Sequence, residues 1–123
     1  MKEKLALLAW SISPDAPDLC AAPFVYATAA AAFDCEVEIH FAGPAVMLLV
    51  EGVAAGAVTS GGKPVYNFMR EAANLGVTFL ACSMAAGQHI AAGRTMIPEL
   101  AGEAGAAAFV ARTLAPDWRT LVF

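Results

Sequence analysis

The chain has 123 residues, of which 59% are hydrophobic and 15% charged, and its net charge is −4. This length fits one domain, and the acidic balance without any basic cluster excludes a nucleic-acid binder, which needs a positive face for phosphates. The hydrophobic share exceeds the roughly 45–50% of average soluble chains, so the chain either enters a membrane or buries surface between subunits.

The longest stretch without Asp, Glu, Lys or Arg covers residues 72–93. It is long enough to cross a bilayer at about 20 residues, but it contains Asn74, Gln88 and His89, and Gly76 is typical of a helix end. The N-terminal MKEKLALLAW lacks the long apolar region and the cleavage site of a signal peptide. We therefore predict a soluble, cytoplasmic, single-domain protein whose apolar excess is buried in subunit contacts.

The N-terminal third predicts a strand and a helix. The apolar run at residues 5–10 is typical of a strand buried on both faces. The turn-rich segment 11–18 leads into a helix that ends near Phe33. We place Pro23 in the first turn of this helix, because a proline there removes no helical hydrogen bond.

The middle of the chain predicts a second strand and two further helices. Residues 36–42 alternate and then become apolar, as in a strand. Pro44 suits the first position of a helix that continues through AVMLLVEGVAAG. After a loop at residues 59–63, Pro64 opens a helix with apolar residues at i, i+3, i+4 and i+7, which ends at Gly76.

The C-terminal part completes an alternation of strands and helices. The predicted elements are a strand at 77–81, a helix over MAAGQHIAA, a short strand near 99–104, a helix at 106–114 and a strand at 119–123. Such an alternation predicts an α/β fold with a parallel sheet covered on both faces by helices.

Cys82 is the strongest candidate for chemistry. Ligands of open α/β sheets bind at the carboxyl ends of strands, and Cys82 lies between a strand and a helix start, where N–H groups and the helix dipole stabilise a thiolate. The alternative is a cysteine that merely packs in an Ala-rich core. Cys20, near the start of the first helix, lies on the same edge, whereas Cys35 lies at the opposite edge and is expected to be structural.

Other chemistries have weaker support. His40 and His89 are candidates to orient a thiolate or ligand, although isolated histidines on apolar elements more often pack, and no spacing predicts a metal site. Ser83 lacks a G-x-S-x-G elbow, and residues 61–63 lack the spacing of a phosphate loop. A flavodoxin-type FMN site stays open as an alternative, but segment 11–18 lacks a Ser/Thr-rich phosphate cradle, so we expect no cofactor.

Several segments resemble the DsrE/DsrF-like (YchN-like) family. They are the Leu-rich first strand, APFVYATAAAAFDCEVEIHFAGPAV, a helix ending in LVEGVA, GKPVYNFMREAANLGVTFLACSMA and FVARTLAPDWRTLVF. In the most specific of them, Cys82 matches the position of the family's sulfur-carrying cysteine. The resemblance implies a three-layer α/β/α fold with a mostly parallel five-stranded sheet and association into trimers or hexamers.

The resemblance also implies a sulfur carrier or sulfurtransferase. Cys82 would hold sulfane sulfur as a persulfide, taken from a donor protein and passed to an acceptor thiol. Ala85 and Ala86 stand where some relatives have a second cysteine, which excludes an internal CxxC disulfide. The remaining binding residues that we expect are Ser83 and Met84, whose N–H groups would hold anionic sulfur, the pocket wall Gly43, Pro44 and Ala45, and Cys20.

Two other functions are kept as alternatives. The first is a non-catalytic oligomeric module that binds a small ligand or a protein partner, with Cys82 structural. The second is a thiol peroxidase, for which Arg94 is the only activating arginine close in sequence. The reactivity of the Cys82 thiol in the folded protein separates the first alternative from a sulfur carrier.

Overall fold

A computed structural model describes residues 2–123. Its strands are β1 (Lys4–Ala9), β2 (Glu36–Phe41), β3 (Thr78–Ala81), β4 (Leu100–Glu103) and β5 (Trp118–Val122). Its α-helices are α1 (Pro17–Ala32), α2 (Val53–Gly56), α3 (Val65–Asn74), α4 (Ser83–His89) and α5 (Ala106–Leu114). The strands form one sheet in the order β4-β3-β2-β1-β5, and every pairing is parallel. The predicted α/β fold with a five-stranded parallel sheet is confirmed.

The interior strand β1 explains why the first apolar run has no polar alternation. It pairs with β2 on one side and β5 on the other, and Ala6 and Leu7, which point to opposite faces, are both fully buried. A strand covered on both faces needs apolar residues at every position. The parallel register aligns Ala9 with Phe41 and Phe41 with Ala81, so three carboxyl ends meet at one edge.

One face of the sheet carries a dense aromatic core beneath α1 and α3. Phe24 of α1 lies 5.9 Å, between ring centroids, from both Phe41 of β2 and Phe79 of β3. The rings of Phe41 and Phe79 are 5.4 Å apart and nearly perpendicular. All three side chains are fully buried, so this face supplies a large share of the apolar burial that stabilises the fold.

The other face is covered by α5, which packs on β5 and β1. Neighbouring strand residues point to opposite faces, so His40 faces away from the core that contains Phe41. The His40 ring meets Phe109 of α5 edge-on, with centroids 5.3 Å apart. Helices therefore cover both faces of the sheet, as predicted. The face that contains His40 is covered mainly by α5, which has only nine residues.

The predicted helix through AVMLLVEGVAAG is wrong. A 3-10 helix at Gly43–Leu49 is followed by extended backbone at Val50, which forms an antiparallel bridge with Met96, and only then by the four-residue α2. Leu48, Leu49 and Val50 are all fully buried. An apolar run buried on every side carries no helical periodicity, and Gly52 at φ 89° breaks the segment in two.

Pro23 does not lie in the first turn of its helix, so this prediction is also wrong. Pro17 occupies the start of α1, and Pro23 lies inside the helix, where it is buried. Asp18 in the first turn accepts a hydrogen bond of 2.7 Å from the Ser60 N–H. The sequence holds two prolines suited to a helix start, and the helix begins at the first of them.

Within residues 2–123, none of the helices combines the length and the apolar character needed to cross a bilayer.

Candidate functional site

A cavity of about 380 Å³ lies at the carboxyl ends of β1, β2 and β3, between α4 and α5. Its lining is apolar except for His40, Cys82 and Gln88. Trp10 and Met84 line it while exposing 51% and 70% of their surface, so they form a rim in contact with solvent. This is the edge at which open α/β sheets bind their ligands.

Cys82 enters the wall of the cavity because the backbone fixes it between a strand and a helix. Its N–H donates to the Phe41 carbonyl at 2.9 Å, which extends the β2–β3 pairing by one residue. Its carbonyl accepts from the Ala86 N–H at 2.9 Å and so begins α4. The side chain is half-buried and its thiol is free. Cys82 is also the only cysteine that lines this cavity within the described chain.

The cavity gathers some of the predicted site residues but not others. Cys82, Met84 and Gly43 line it. Ser83 is exposed at the first position of α4, next to Cys82 but outside the lining. Pro44 and Ala45 belong to the 3-10 helix behind the wall, where Ala45 is fully buried in the core.

Cys20 lies in the hydrophobic core and does not line the cavity. Its Sγ donates to the Ser13 carbonyl at 2.9 Å. Burial raises the pKa of the Cys20 thiol to about 11, which keeps it neutral at physiological pH. Cys35 lies at the amino end of β2, on the edge opposite the cavity, and packs against the core.

Gly43 permits the close approach of two parts of the cavity wall. Its φ is 52°, and a Cβ at this position would lie 3.0 Å from the Trp10 carbonyl oxygen. Both the left-handed backbone and this contact disfavour any larger residue. Glycine therefore lets the turn after β2 lie directly against the end of β1.

Three charged or titratable side chains form a polar array on the cavity side of the sheet. Arg112 of α5 donates two hydrogen bonds to Glu38, from Nε to Oε1 at 3.0 Å and from Nη2 to Oε2 at 3.2 Å. Glu38 Oε1 also lies 2.9 Å from His40 Nε2. We name Arg112, Glu38 and His40 the polar array. His40 is the member that lines the cavity.

The polar array holds Glu38 in its ionised form. Burial raises the pKa of Glu38, but the hydrogen bonds from Arg112 and His40 outweigh it, and the net pKa lies below the ordinary value. The hydrogen bond to Glu38 in turn raises the pKa of Arg112. The carboxylate therefore accepts from Nε2–H of His40, because an ionised carboxylate has no proton to donate.

His40 leaves one nitrogen without a partner. The side chain is 2% exposed, and Nδ1 has no hydrogen-bond partner within residues 2–123. In the tautomer with its single proton on Nε2, Nδ1 carries a free lone pair. Leaving such a group unsatisfied costs about 1–3 kcal/mol.

Sequence reasoning named His40 only as one of two isolated histidines and did not find the polar array. The alternation in EVEIHF already places Glu38 and His40 on one face of β2. Arg112 carries no such signal, since it is 74 residues away from Glu38. His89 lies at the end of α4, exposed and outside the cavity lining. The described residues contain no group of three or more His, Cys, Asp or Glu placed to hold a metal ion.

Solved structures share this fold, and among them are two that superpose on the whole chain. The YchN protein from E. coli superposes with a TM-score of 0.77 at 13% identity, and both chains are covered completely. A protein of unknown function from Methanobacterium thermoautotrophicum, MTH1491, superposes with a TM-score of 0.62 at 12% identity, again over 100% of both chains. At such low identity these likenesses show the fold alone.

No curated protein matches the sequence. The family model for the DsrE/DsrF-like family matches residues 6–113. This range contains β2, β3 and β4 and most of β1. It also contains Cys82 and all three members of the polar array. The chain therefore belongs to the DsrE/DsrF-like family.

Proposed function

We propose that this protein is a sulfur carrier or sulfurtransferase that holds sulfane sulfur as a persulfide on Cys82 and passes it to an acceptor protein thiol. The observation that carries the proposal is the position of Cys82, a free and half-buried thiol in the wall of an apolar cavity. The family resemblance of the segment ending in Cys82-Ser83-Met84 supports the same role.

The cavity suits this chemistry in two respects. Sulfur is soft and polarizable, so an apolar wall that includes Met84 and Phe109 accommodates a sulfur chain without unpaired polar groups. The apolar lining also limits water beside the bound sulfur. The N–H groups of Ser83 and Met84 are in the first turn of α4, where helical N–H groups have no intrahelical acceptor, and they would bind the anionic persulfide.

The reaction needs no oxidant, because it exchanges one sulfur–sulfur bond for another. The Cys82 thiolate attacks the outer sulfur of a donor persulfide R–S–SH, the donor S–S bond breaks, and R–S⁻ leaves. The sum is Cys82–SH + R–S–SH giving Cys82–S–SH + R–SH. Transfer to the acceptor thiol repeats this exchange in the opposite sense.

Intact-mass spectrometry after incubation with inorganic polysulfide tests the proposal. We expect the wild-type chain to gain sulfur that a dithiol reductant removes, and Cys82→Ala to gain none there. Cys35→Ala is the matched control, since it removes another half-buried free thiol outside the cavity and should load like wild type. An equal gain in Cys82→Ala would overturn the proposal. A Cys82 that also resists alkylation in the folded protein would favour a non-catalytic binding module.

The proposal includes a homo-oligomer, a trimer or hexamer, working in the cytoplasm with donor and acceptor proteins. Large apolar side chains exposed on several elements support self-association: Phe33 exposes 86% of its surface, Leu114 78% and Leu19 63%. These side chains are the candidates for the subunit contacts that the apolar excess of the chain predicts. Gel filtration with light scattering measures the mass, and a 12.7 kDa monomer would contradict this part of the proposal.

A further inference from the structure

The cavity contains a second reactive group besides Cys82. His40 lines the same cavity, and it is almost fully buried. Strand geometry brings the two residues close: His40 pairs with Leu80 in β3, and Cys82 follows Leu80 by two positions. Residues that are diagonal neighbours on one sheet face have Cα atoms about 8 Å apart. Nδ1 of His40 has no hydrogen-bond partner within residues 2–123, Cys82 included, so the thiol reaches it by rotation of the Cys82 side chain, since catalytic hydrogen bonds often tighten only when substrate is bound.

We propose that His40 is the general base of the Cys82 site, with Glu38 and Arg112 as its positioning residues. The polar array fixes which nitrogen is available. Nε2–H of His40 donates to Glu38, and the unpartnered Nδ1 is left to accept a proton. A carboxylate that orients an imidazole in this way selects its tautomer and stabilises the imidazolium that forms.

Arg112 has a separate task in this array. Without a cation, Glu38 would lie beside an imidazole in a largely apolar region and would compete for its proton. The two hydrogen bonds from Arg112 keep Glu38 ionised and fix the plane of its carboxylate. The proton accepted at Nδ1 therefore stays on the imidazole until a stronger base arrives.

The proton balance follows from these roles, and this step rests on the proposed sulfur-carrier function. Nδ1 of His40 takes the proton from the Cys82 thiol, and the thiolate attacks the outer sulfur of R–S–SH. The donor S–S bond breaks, and its electron pair leaves on R–S⁻. The imidazolium then gives its proton to R–S⁻, so His40 returns to its neutral form and R–SH departs.

The charged and titratable groups around His40 determine how the alkylation rate of Cys82 depends on pH. Glu38 bonds to His40 from its own strand, Phe109 of α5 packs on the His40 ring, and Arg112 of α5 bonds to Glu38. Cys82 lines the same cavity at the end of β3. The neighbouring strand β1 presents Leu8, which pairs with His40 in register. Within the described residues, Cys82 is thus the one thiol that shares the cavity with the polar array.

The test measures how fast iodoacetamide alkylates Cys82 in the full chain, quantified on the Cys82 peptide by mass spectrometry. In His40→Gln, the amide can still bond to Glu38 but cannot take a proton. We expect alkylation about tenfold slower than wild type at pH 7 and equal to wild type at pH 10, where an ordinary thiol of pKa about 8.5 is ionised without a base. His89→Gln, the matched control outside the cavity, should follow wild type at both pH values.

Arg112→Met gives an independent test if His40→Gln does not fold, because the Arg112 side chain is one-third exposed. It should slow alkylation several-fold at pH 7 and leave the pH 10 rate unchanged. Equal rates at pH 7, or a loss of the same size at both pH values, would overturn the role of His40.

The alkylation result is distinguishable from the sulfur-loading result, because iodoacetamide carries no sulfane sulfur. If His40→Gln slows alkylation at pH 7 while wild-type Cys82 takes up no polysulfide sulfur, the general base stands and the sulfur-carrier function fails. If Cys82 loads sulfur and His40→Gln reacts like wild type at pH 7, the function stands and the general base is refuted.

Discussion

The two faces of the sheet differ in what their buried residues do. Beneath α1 and α3, three phenylalanine rings pack against each other with no exposed surface. Beneath α5 lie a buried imidazole and a partly buried carboxylate, and a cavity separates α5 from α4. We name these the packed face and the cavity face.

The contrast shows how one small sheet serves stability and chemistry at once. Apolar burial on the packed face contributes the main favourable term in folding. The cavity face has groups that a packed core excludes, because a buried polar atom without a partner is costly. His40 and Phe41 are adjacent in sequence, so the alternation of a strand is enough to divide the two tasks.

The largest effect that we expect from this contrast is on stability. Phe24→Ala on the packed face should lower the free energy of unfolding by about 4 kcal/mol, in the usual range for a fully buried phenylalanine. Phe109→Ala on the cavity face should cost about 2 kcal/mol, since Phe109 already borders a cavity and leaves less close packing to lose. Urea unfolding at one protein concentration measures both.

The difference between these two losses of unfolding free energy is the critical quantity. Both substitutions remove the same side chain, so differences in transfer free energy cancel and the packing around each ring remains. Equal losses from Phe24→Ala and Phe109→Ala would show that the cavity face is as tightly packed as the other, and the division of tasks would fail.

A smaller effect concerns pH and the polar array. The pKa of Glu38 lies below its ordinary value of 4.5, because the hydrogen bonds from Arg112 and His40 outweigh the effect of burial. A carboxyl with a lowered pKa stabilises the fold fully above its unfolded pKa, and this contribution is lost as pH falls through the folded pKa. Glu38→Gln should thus cost about 1–2 kcal/mol at pH 7 and progressively less towards pH 3.

Arg112→Met supplies a matched comparison, since it removes the hydrogen bonds from Arg112 that lower the Glu38 pKa. The difference in the free energy of unfolding between Arg112→Met and wild type should become smaller from pH 7 to pH 3, as measured by urea unfolding at each pH. A stability gap between wild type and Glu38→Gln that stays constant from pH 7 to pH 3 would show that the carboxylate contributes through packing alone.

Periodicity and strand order explain how much of the fold the sequence predicts. The alternation of apolar strands with helices leads to the parallel sheet, and the strand before Cys82 places this thiol at the carboxyl edge, where the structure has it. The helix predicted after Pro44 failed, because residues buried on all sides, such as Leu48 and Leu49, carry no periodic signal.

The polar array was beyond sequence reasoning for a different physical reason. Glu38 and His40 are two positions apart, but Arg112 reaches them only because α5 crosses over the sheet from β4 to β5. That contact depends on the crossover and on the length of the β4–α5 connection, which local propensities do not encode. Cys20 illustrates the same limit, since only tertiary packing shows that its thiol donates to Ser13 in the core.

The smallest effect on stability separates the space of the cavity from the packing around it. Ala106, the exposed first residue of α5, lines the cavity, whereas Ala107 beside it is exposed and does not. Both Ala106→Leu and Ala107→Leu should change the free energy of unfolding by less than about 0.5 kcal/mol, as substitutions at exposed helix positions usually do.

A leucine at position 106 nevertheless occupies part of the 380 Å³ cavity, so alkylation of Cys82 by a bulky maleimide should slow several-fold in that variant only. If both variants react like wild type, the cavity is not the route to Cys82. If only Ala106→Leu is slow, the space left beside α5 serves access to the thiol and adds nothing to the stability of the fold.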